Sequence, residues 1–287
     1  MSPILLKNIL LEEKLYGLTL EEVLAKMEVF KNSTLIVFDT EASGLEPNSD
    51  FEQVTQIAAA AIDGSTWKTL DEFNEKIALS KGTLRLLNDP KSKETRAYNA
   101  QHARWLRKYK RPYRHPRETL QNTHYYAGQP METRKDEKTV LTEFDTFIKK
   151  FPNVILVAHN ARFDMKIVGA RRRLNGLPPM KRYPVYDTLQ LARHILVPML
   201  VALESNEWAA EMLKKMLAKT KYKSYGTDLG KLADIFDIKT NWHDALEDVK
   251  ALSAILSNII ELLKKNVGTN IRGYQGKQAK RFRRMKI

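Results

Sequence analysis

The chain has 287 residues, 43% of them hydrophobic, and a formal charge of +14. That is enough for one good-sized core with appendages, and the positive excess favours a polyanionic partner, nucleic acid first. The absence of cysteine excludes disulfides, thiolate metal sites and cysteine nucleophiles, and suits a reducing compartment.

No cleavable leader is read in Met1–Leu11, because Glu12, Glu13 and Lys14 follow at once. The most apolar run, Ile195–Leu203, contains Pro198 and is too short to span a bilayer. These features predict a cytoplasmic protein without membrane association. Residues 1–33 read as a helical arm, with Leu20, Val23, Leu24 and Met27 at helical spacing and Thr19 and Glu22 placed for a capping box. Leu35-Ile36-Val37-Phe38 predicts a strand buried on both faces. Val54–Ile62 and Phe73–Leu79 predict two more, the turn between them signalled by Asp63-Gly64.

Residues 80–135 are polar and basic, with four prolines, and predict an insertion on one face of the core. A helix is expected over Val140–Phe151, a strand at Val154–Val157, and helices over Phe163–Asn175, Asp187–Leu196 and Leu229–Phe236. Residues 197–226 read as a second, helical insertion. A long helix follows from His243 to about Lys265, then a loose basic tail over 266–287. This order predicts an α/β three-layer domain over residues 34–265, a mixed central sheet flanked by helices.

Three short stretches carry acids beside these apolar elements. Asp39 and Glu41 lie two apart at the end of the first strand and so project to one side. Carboxylates that close repel unless a cation sits between them, and Mg²⁺ or Mn²⁺ suits oxygen ligands. The bland alternative is a solvated polar turn. Gly44 would let the chain approach a ligand. Asp164 opens a helix after the second buried strand, where it could equally serve the helix dipole. Phe163 beside it would pack under the site or against a base. His243 and Asp248 lie five apart, which puts His243 on the loop and Asp248 one turn into the last helix. Asp248 could join the metal cluster and His243 take a proton from water; a histidine there could also be a cap or a surface group. Asp244 and Glu247 read as solvated charges. Strand-end crevices are where such folds place sites.

Asp39-Thr40-Glu41, Asn160-Ala161-Arg162-Phe163-Asp164 and His243-Asp244-Ala245-Leu246-Glu247-Asp248 together resemble the DEDDh branch of the DnaQ-like 3′→5′ exonucleases, from about Thr34 to Leu263 apart from the two insertions. The resemblance implies an RNase H-like fold. It implies that Asp39, Glu41, Asp164 and Asp248 hold two divalent metal ions, that His243 is the general base, and that mononucleotides leave from a 3′ end. Thr40, Gly44, Leu45, Asn160 and Phe163 are the expected substrate contacts around the motifs. Gln56 and Ala58 depart from the common glutamate and glycine, and Gln56 with His243-Asp244-Ala245 resembles the exonuclease I type.

Arg104-Trp105-Leu106-Arg107-Lys108-Tyr109 begins the densest basic and aromatic run, which reaches Arg114. Such runs bind single strands by phosphate contact and stacking, although Trp105 and Tyr109 equally fit a packed helix face. Lys280–Arg284 reads as a non-specific phosphate contact or a solvated tail, and Arg171-Arg172-Arg173 as an exposed helix face. The expected activity is exonucleolysis of single-stranded DNA. Alternatives are an exoribonuclease, a non-catalytic nucleic-acid-binding module, which a missing carboxylate would favour, and a nucleotide-phosphate hydrolase. No protein partner is legible.

Overall fold

The computed structural model describes residues 15–44, 51–109, 115–123, 125–127, 130–217 and 225–275. Leu45 and the Lys280–Arg284 cluster lie outside the described residues. Five strands form one sheet in the order β3-β2-β1-β4-β5: β1 Thr34–Ala42, β2 Val54–Asp63, β3 Thr69–Lys76, β4 Val154–Ala158 and β5 Val185–Asp187. β1, β2 and β3 pair antiparallel, while β4 runs parallel to both β1 and β5. In chain order the helices are α1 Leu20–Met27, α2 Lys81–Asn88, α3 Lys93–Tyr109, α4 Pro116–Asn122, α5 Glu137–Lys149, α6 Ala161–Leu174, α7 Thr188–Leu191, α8 Val197–Ala202, α9 Glu207–Met216, α10 Leu229–Ile235 and α11 Ala245–Lys265. A π-helical turn, Ala192–Leu196, joins α7 to α8.

Alternate residues of β1 enter different cores. Leu35 and Val37 pack with Leu252, Ile255 and Ile259 of α11, whereas Ile36 and Phe38 pack with Phe144 of α5 and Ile167 of α6. The sheet is thus covered on both faces, which explains the unbroken apolar run in β1. The predicted capping box of α1 forms, and Leu20, Val23, Met27 and Phe30 are buried in the α11-side core, so these residues do not stand off as an arm. Residues 266–275 are not loose. Ile271 and Gln275 are each 1% exposed, and Gln275 bonds Gly17 N and the carbonyls of Leu18 and His194.

Gly64 is fixed by crowding: a Cβ there would lie 1.9 Å from the Phe30 carbonyl oxygen. β3 starts at Thr69 rather than Phe73, because the turn closes through Asp63 N to Lys68 O. β5 occupies residues read as loop and helix start; three residues give no periodicity. Residues 78–134 form an excursion whose ends meet, since Ile77 bridges Lys135.

The triple arginine is not an exposed face. Arg171 and Arg172 are buried, and only Arg173 is exposed. Arg171 follows Asp164 and Ile167 on the inward stripe of α6. It forks onto Glu137, Nε to Oε1 at 2.9 Å and Nη2 to Oε2 at 2.8 Å, and donates to the Glu52 carbonyl. Glu137 also accepts from Val54 N and Asn175. Removing one partner of a buried pair strands the other charge. Glu137→Ala should therefore lower stability by about 3–5 kcal/mol in urea titration, more than Glu137→Leu combined with Arg171→Met. A loss under about 1 kcal/mol would show that the pair is solvated.

Candidate active site

β1 brings the first two acids to the site by parity. Asp39 and Glu41 continue the side of Leu35 and Val37 and so face α11. Thr40, on the opposite side, is buried and meets α6: its Oγ1 donates to Asp164 Oδ1 at 2.6 Å, and its N–H donates to the same oxygen at 3.2 Å. The Thr40 hydroxyl therefore orients a carboxylate. Asp164 occupies an inward position of α6, as Asp248 does on α11. An acid in an apolar stripe is the sequence sign of a site rather than of a solvated charge.

Asp244 is not merely solvated. It is the N-cap of α11, accepting from Leu246 N and Glu247 N, and it thereby starts the helix one residue after itself. His243 precedes it, exposed, with a left-handed φ of 67°. The His243 N–H donates to Asp248 Oδ2 at 3.3 Å. Glu247 pairs with Lys250 on the surface. Ligand atoms of Glu41, His243 and Asp248 all lie within 4.8 Å of one another.

The acids of the cluster are held away from their ordinary ionisation. Burial raises the Asp39 carboxyl well above its ordinary range, and the charge of Asp164 raises it further. Glu41 is pushed up to about 10 by burial, then by Asp39, Asp248 and Asp164. Asp164 is raised to about 7 by burial, against the stabilising bonds from Thr40. Asp248 is raised to about 7 by burial and by Asp39. Its Oδ1 is buried and accepts no hydrogen bond among the described residues. Four acids that cannot all ionise beside one another, with an orphaned oxygen among them, fit hard divalent cations.

Asn160 is exposed in a left-handed turn at 65°, its N–H held by Asp187 Oδ1 at 3.0 Å, and Phe163 is half-buried against the α6-side core. Asp187, which the sequence offers as a helix start and as part of the run before the third motif, ends β5 and fixes the turn before Asp164. Gly44 is enclosed: a Cβ would lie 2.2 Å from the Glu52 carboxyl carbon, and Glu52 accepts from Gln101 of α3. The excursion therefore reaches the end of β1. On α3, Arg104, Arg107 and Lys108 are exposed. Trp105 packs against Phe51, Leu86 and Tyr98, and the Tyr109 ring lies 4.3 Å from it. Helical spacing thus places the aromatics inward and the cations outward on one element.

Gln56, the departure from the common pattern, is buried opposite Glu41. It donates to Asn74, and its Oε1 accepts from Ala245 N at 3.5 Å, tying the sheet to the start of α11. Lys76, next along the same row, was not singled out by the sequence. It is 5% exposed, with Nζ 3.9 Å from Asp244. Burial lowers its ammonium from the usual lysine range, opposed by Asp244 and Glu41.

Among the described residues no helix is long and apolar enough to cross a membrane. The fold is similar to Escherichia coli exonuclease I in complex with a dT13 oligonucleotide, with TM-score 0.50 and 15% identity over 81% of this chain and 42% of that one. An exonuclease I from Methylocaldum szegediense gives TM-score 0.50 and 16% identity, covering 80% of this chain and 40% of that one. These likenesses bear on the fold, the RNase H-like mixed sheet flanked by helices. DNA polymerase III PolC-type of Staphylococcus aureus is 22% identical over 236 residues, covering 82% of this chain and 12% of that protein. The chain thus spans less than half of each of these relatives. Residues 100–256 match the family RNase_T, described as exonuclease; this span holds Asp164, His243 and Asp248, with Asp39 and Glu41 upstream. With more than half of its length matched, and the second and third acidic motifs inside the match, the chain belongs to the RNase_T exonuclease family.

Proposed function

We propose that the protein is a 3′→5′ exonuclease that hydrolyses single-stranded DNA with two divalent cations, Mg²⁺ or Mn²⁺, and releases 5′-mononucleotides. The observation that carries this reading is the convergence of Asp39, Glu41, Asp164 and Asp248 from β1, α6 and α11, with His243 at the rim. The four carboxylates would hold the ions, which when bound supply Lewis-acid activation of water and charge stabilisation at the phosphoryl group. Thr40 keeps one Asp164 oxygen oriented, leaving the other for a cation. His243 takes the proton of the attacking water, since it is exposed beside Glu41 and Asp248 rather than buried under them. Asn160, exposed, and Phe163, beside Asp164, would meet the terminal nucleotide.

The test is incubation of 5′-labelled single-stranded DNA, duplex DNA and RNA with protein and Mg²⁺, with and without EDTA. The expected result is a descending ladder from single-stranded DNA that EDTA abolishes. Full activity in EDTA removes the metal reading, and RNA-only cleavage replaces the substrate. Activity on mononucleotides alone reassigns the enzyme to nucleotide-phosphate hydrolysis.

The exposed cations of α3 would guide the strand. Replacing Arg104, Arg107 and Lys108 with Ala should raise KM for long oligonucleotides. It should also flatten the slope of log affinity against log salt by about 2, at roughly 0.7 for each single-strand phosphate that is no longer neutralised. Turnover of a dinucleotide should stay unchanged. Equal losses on long and short substrates, or an unchanged slope, would make this face a packing or protein-docking surface.

A further inference from the structure

Helix α11 delivers two functional groups from one turn, His243 just before it and Asp248 within it. Its first turn is held to the sheet at two points. Gln56 accepts from Ala245 N, and Lys76 faces the outer oxygen of the N-cap Asp244, Oδ2 at 3.9 Å, while Oδ1 caps the helix. Glu41, Gln56 and Lys76 are directly opposed residues on three neighbouring strands, so one row of the sheet carries a carboxylate and both anchors. The Lys76 ammonium also donates to the Ala127 carbonyl at 2.8 Å. Residues 125–127 are fastened just past the end of β3: Tyr125 OH donates to Ile77 O at 2.7 Å, and Arg134 donates to Tyr125 O at 2.8 Å and covers its ring. The excursion and the start of α11 therefore meet at one buried cation.

We infer that Lys76 is a positioning residue that clamps the N-cap of α11 to the sheet and to residues 125–127, and so sets where His243 and Asp248 stand relative to Glu41. The inference rests on the proposed hydrolysis for its kinetic readout, although the clamp itself is a property of the fold. A lysine at this place costs desolvation, and an apolar residue of equal length would fill the same space. What the ammonium adds is direction: it ties one carbonyl and one carboxylate on separate segments to a common point.

The test uses Lys76→Met, Lys76→Arg, Asp244→Asn and the double Lys76→Met/Asp244→Asn in the full chain. Asparagine still caps a helix, so Asp244→Asn removes the ion pair and keeps the turn. A displacement near 1 Å at reacting groups costs up to about 100-fold. Lys76→Met should therefore lower kcat about 10- to 100-fold with KM for a long oligonucleotide unchanged, and Lys76→Arg should recover most of it. Asp244→Asn should lower kcat in the same way, and the double variant should be no worse than the more impaired single one. Hydrogen exchange of the Leu246 and Glu247 amides should quicken about 10-fold in Lys76→Met and return in Lys76→Arg. Normal kcat in a folded Lys76→Met, normal kcat in Asp244→Asn, or losses that multiply in the double variant each overturn the clamp. If Lys76→Met does not fold, Asp244→Asn alone decides, by the same kcat criterion. If the unaltered protein cleaves neither DNA nor RNA, the proposed function falls, and the exchange of the first-turn amides decides the clamp by itself.

Discussion

Asp248→Asn should abolish turnover while making the metal-free protein more stable. The carboxylate lies among Asp39, Glu41 and Asp164, and burial and the charge of Asp39 raise it to about 7. Without a cation, ionising it is unfavourable. The raised group keeps its proton in the folded chain between its ordinary value of 3.8 and about 7, while the unfolded chain has already lost it. The unfolded state then binds fewer protons, so stability falls as pH rises through this window. Asp164 acts over the same window, and Glu41 extends it towards about 10. The metal-free protein should be most stable near pH 4 and lose melting temperature steadily to pH 8, and Mg²⁺ should reverse the loss at the alkaline end. Asn cannot ionise, so Asp248→Asn should gain on the order of 1 kcal/mol or more at pH 8 and nothing at pH 4. Its kcat should fall by more than about 10³-fold, beyond the loss of a single hydrogen-bond donor at a transition state. Calorimetric scans in EDTA at the two pH values, beside a Mg²⁺ assay, give both numbers. A variant destabilised equally at both pH values would show that Asp248 is an ordinary structural carboxylate.

The second expected result is a partial one. Replacing His243 removes the proposed proton acceptor and leaves the four carboxylates, so hydrolysis should slow by about 10²- to 10⁴-fold and not vanish. The choice of variant matters because of the backbone. At φ 67° His243 is left-handed, a conformation that Asn tolerates and Ala resists. His243→Ala can disturb the loop and the bond from its N–H to Asp248. His243→Asn keeps the loop and removes the imidazole. Both should change the pH–rate profile. If His243→Asn is normal and only His243→Ala is slow, the residue serves the turn and not proton transfer.

The acids were legible because each interrupts an apolar pattern. Asp39 ends a run of four hydrophobic residues, and Asp248 falls on the stripe that continues through Leu252, Ile255 and Ile259. The same reasoning applied to α6 would have found Arg171, seven residues after Asp164. Three adjacent arginines masked it, because a charge run reads as solvent-facing until its partner is known, and Glu137 lies far away in sequence. Asp244 reads as a solvated charge for a related reason: a cap and a solvated acid look alike until the first helical residue is fixed. β5 is too short for any period, and Lys76 could not be singled out because its partners arrive from residues 127 and 244. Local pattern gave the acids and the elements that carry them. Long-range pairing gave what holds those elements in place.

The alternation along β1 has a consequence for how this chain can change over generations. One strand sends Asp39 and Glu41 to α11 and Thr40 to α6. A deletion of a single residue anywhere between Leu35 and Phe38 would exchange those assignments, turning both acids away from Asp248 and the hydroxyl away from Asp164. Substitution can weaken this site by degrees, whereas a one-residue length change inverts it. Tolerable insertions and deletions are therefore confined to the turns, and the long excursion after Ile77 lies where such growth leaves the strand's parity untouched.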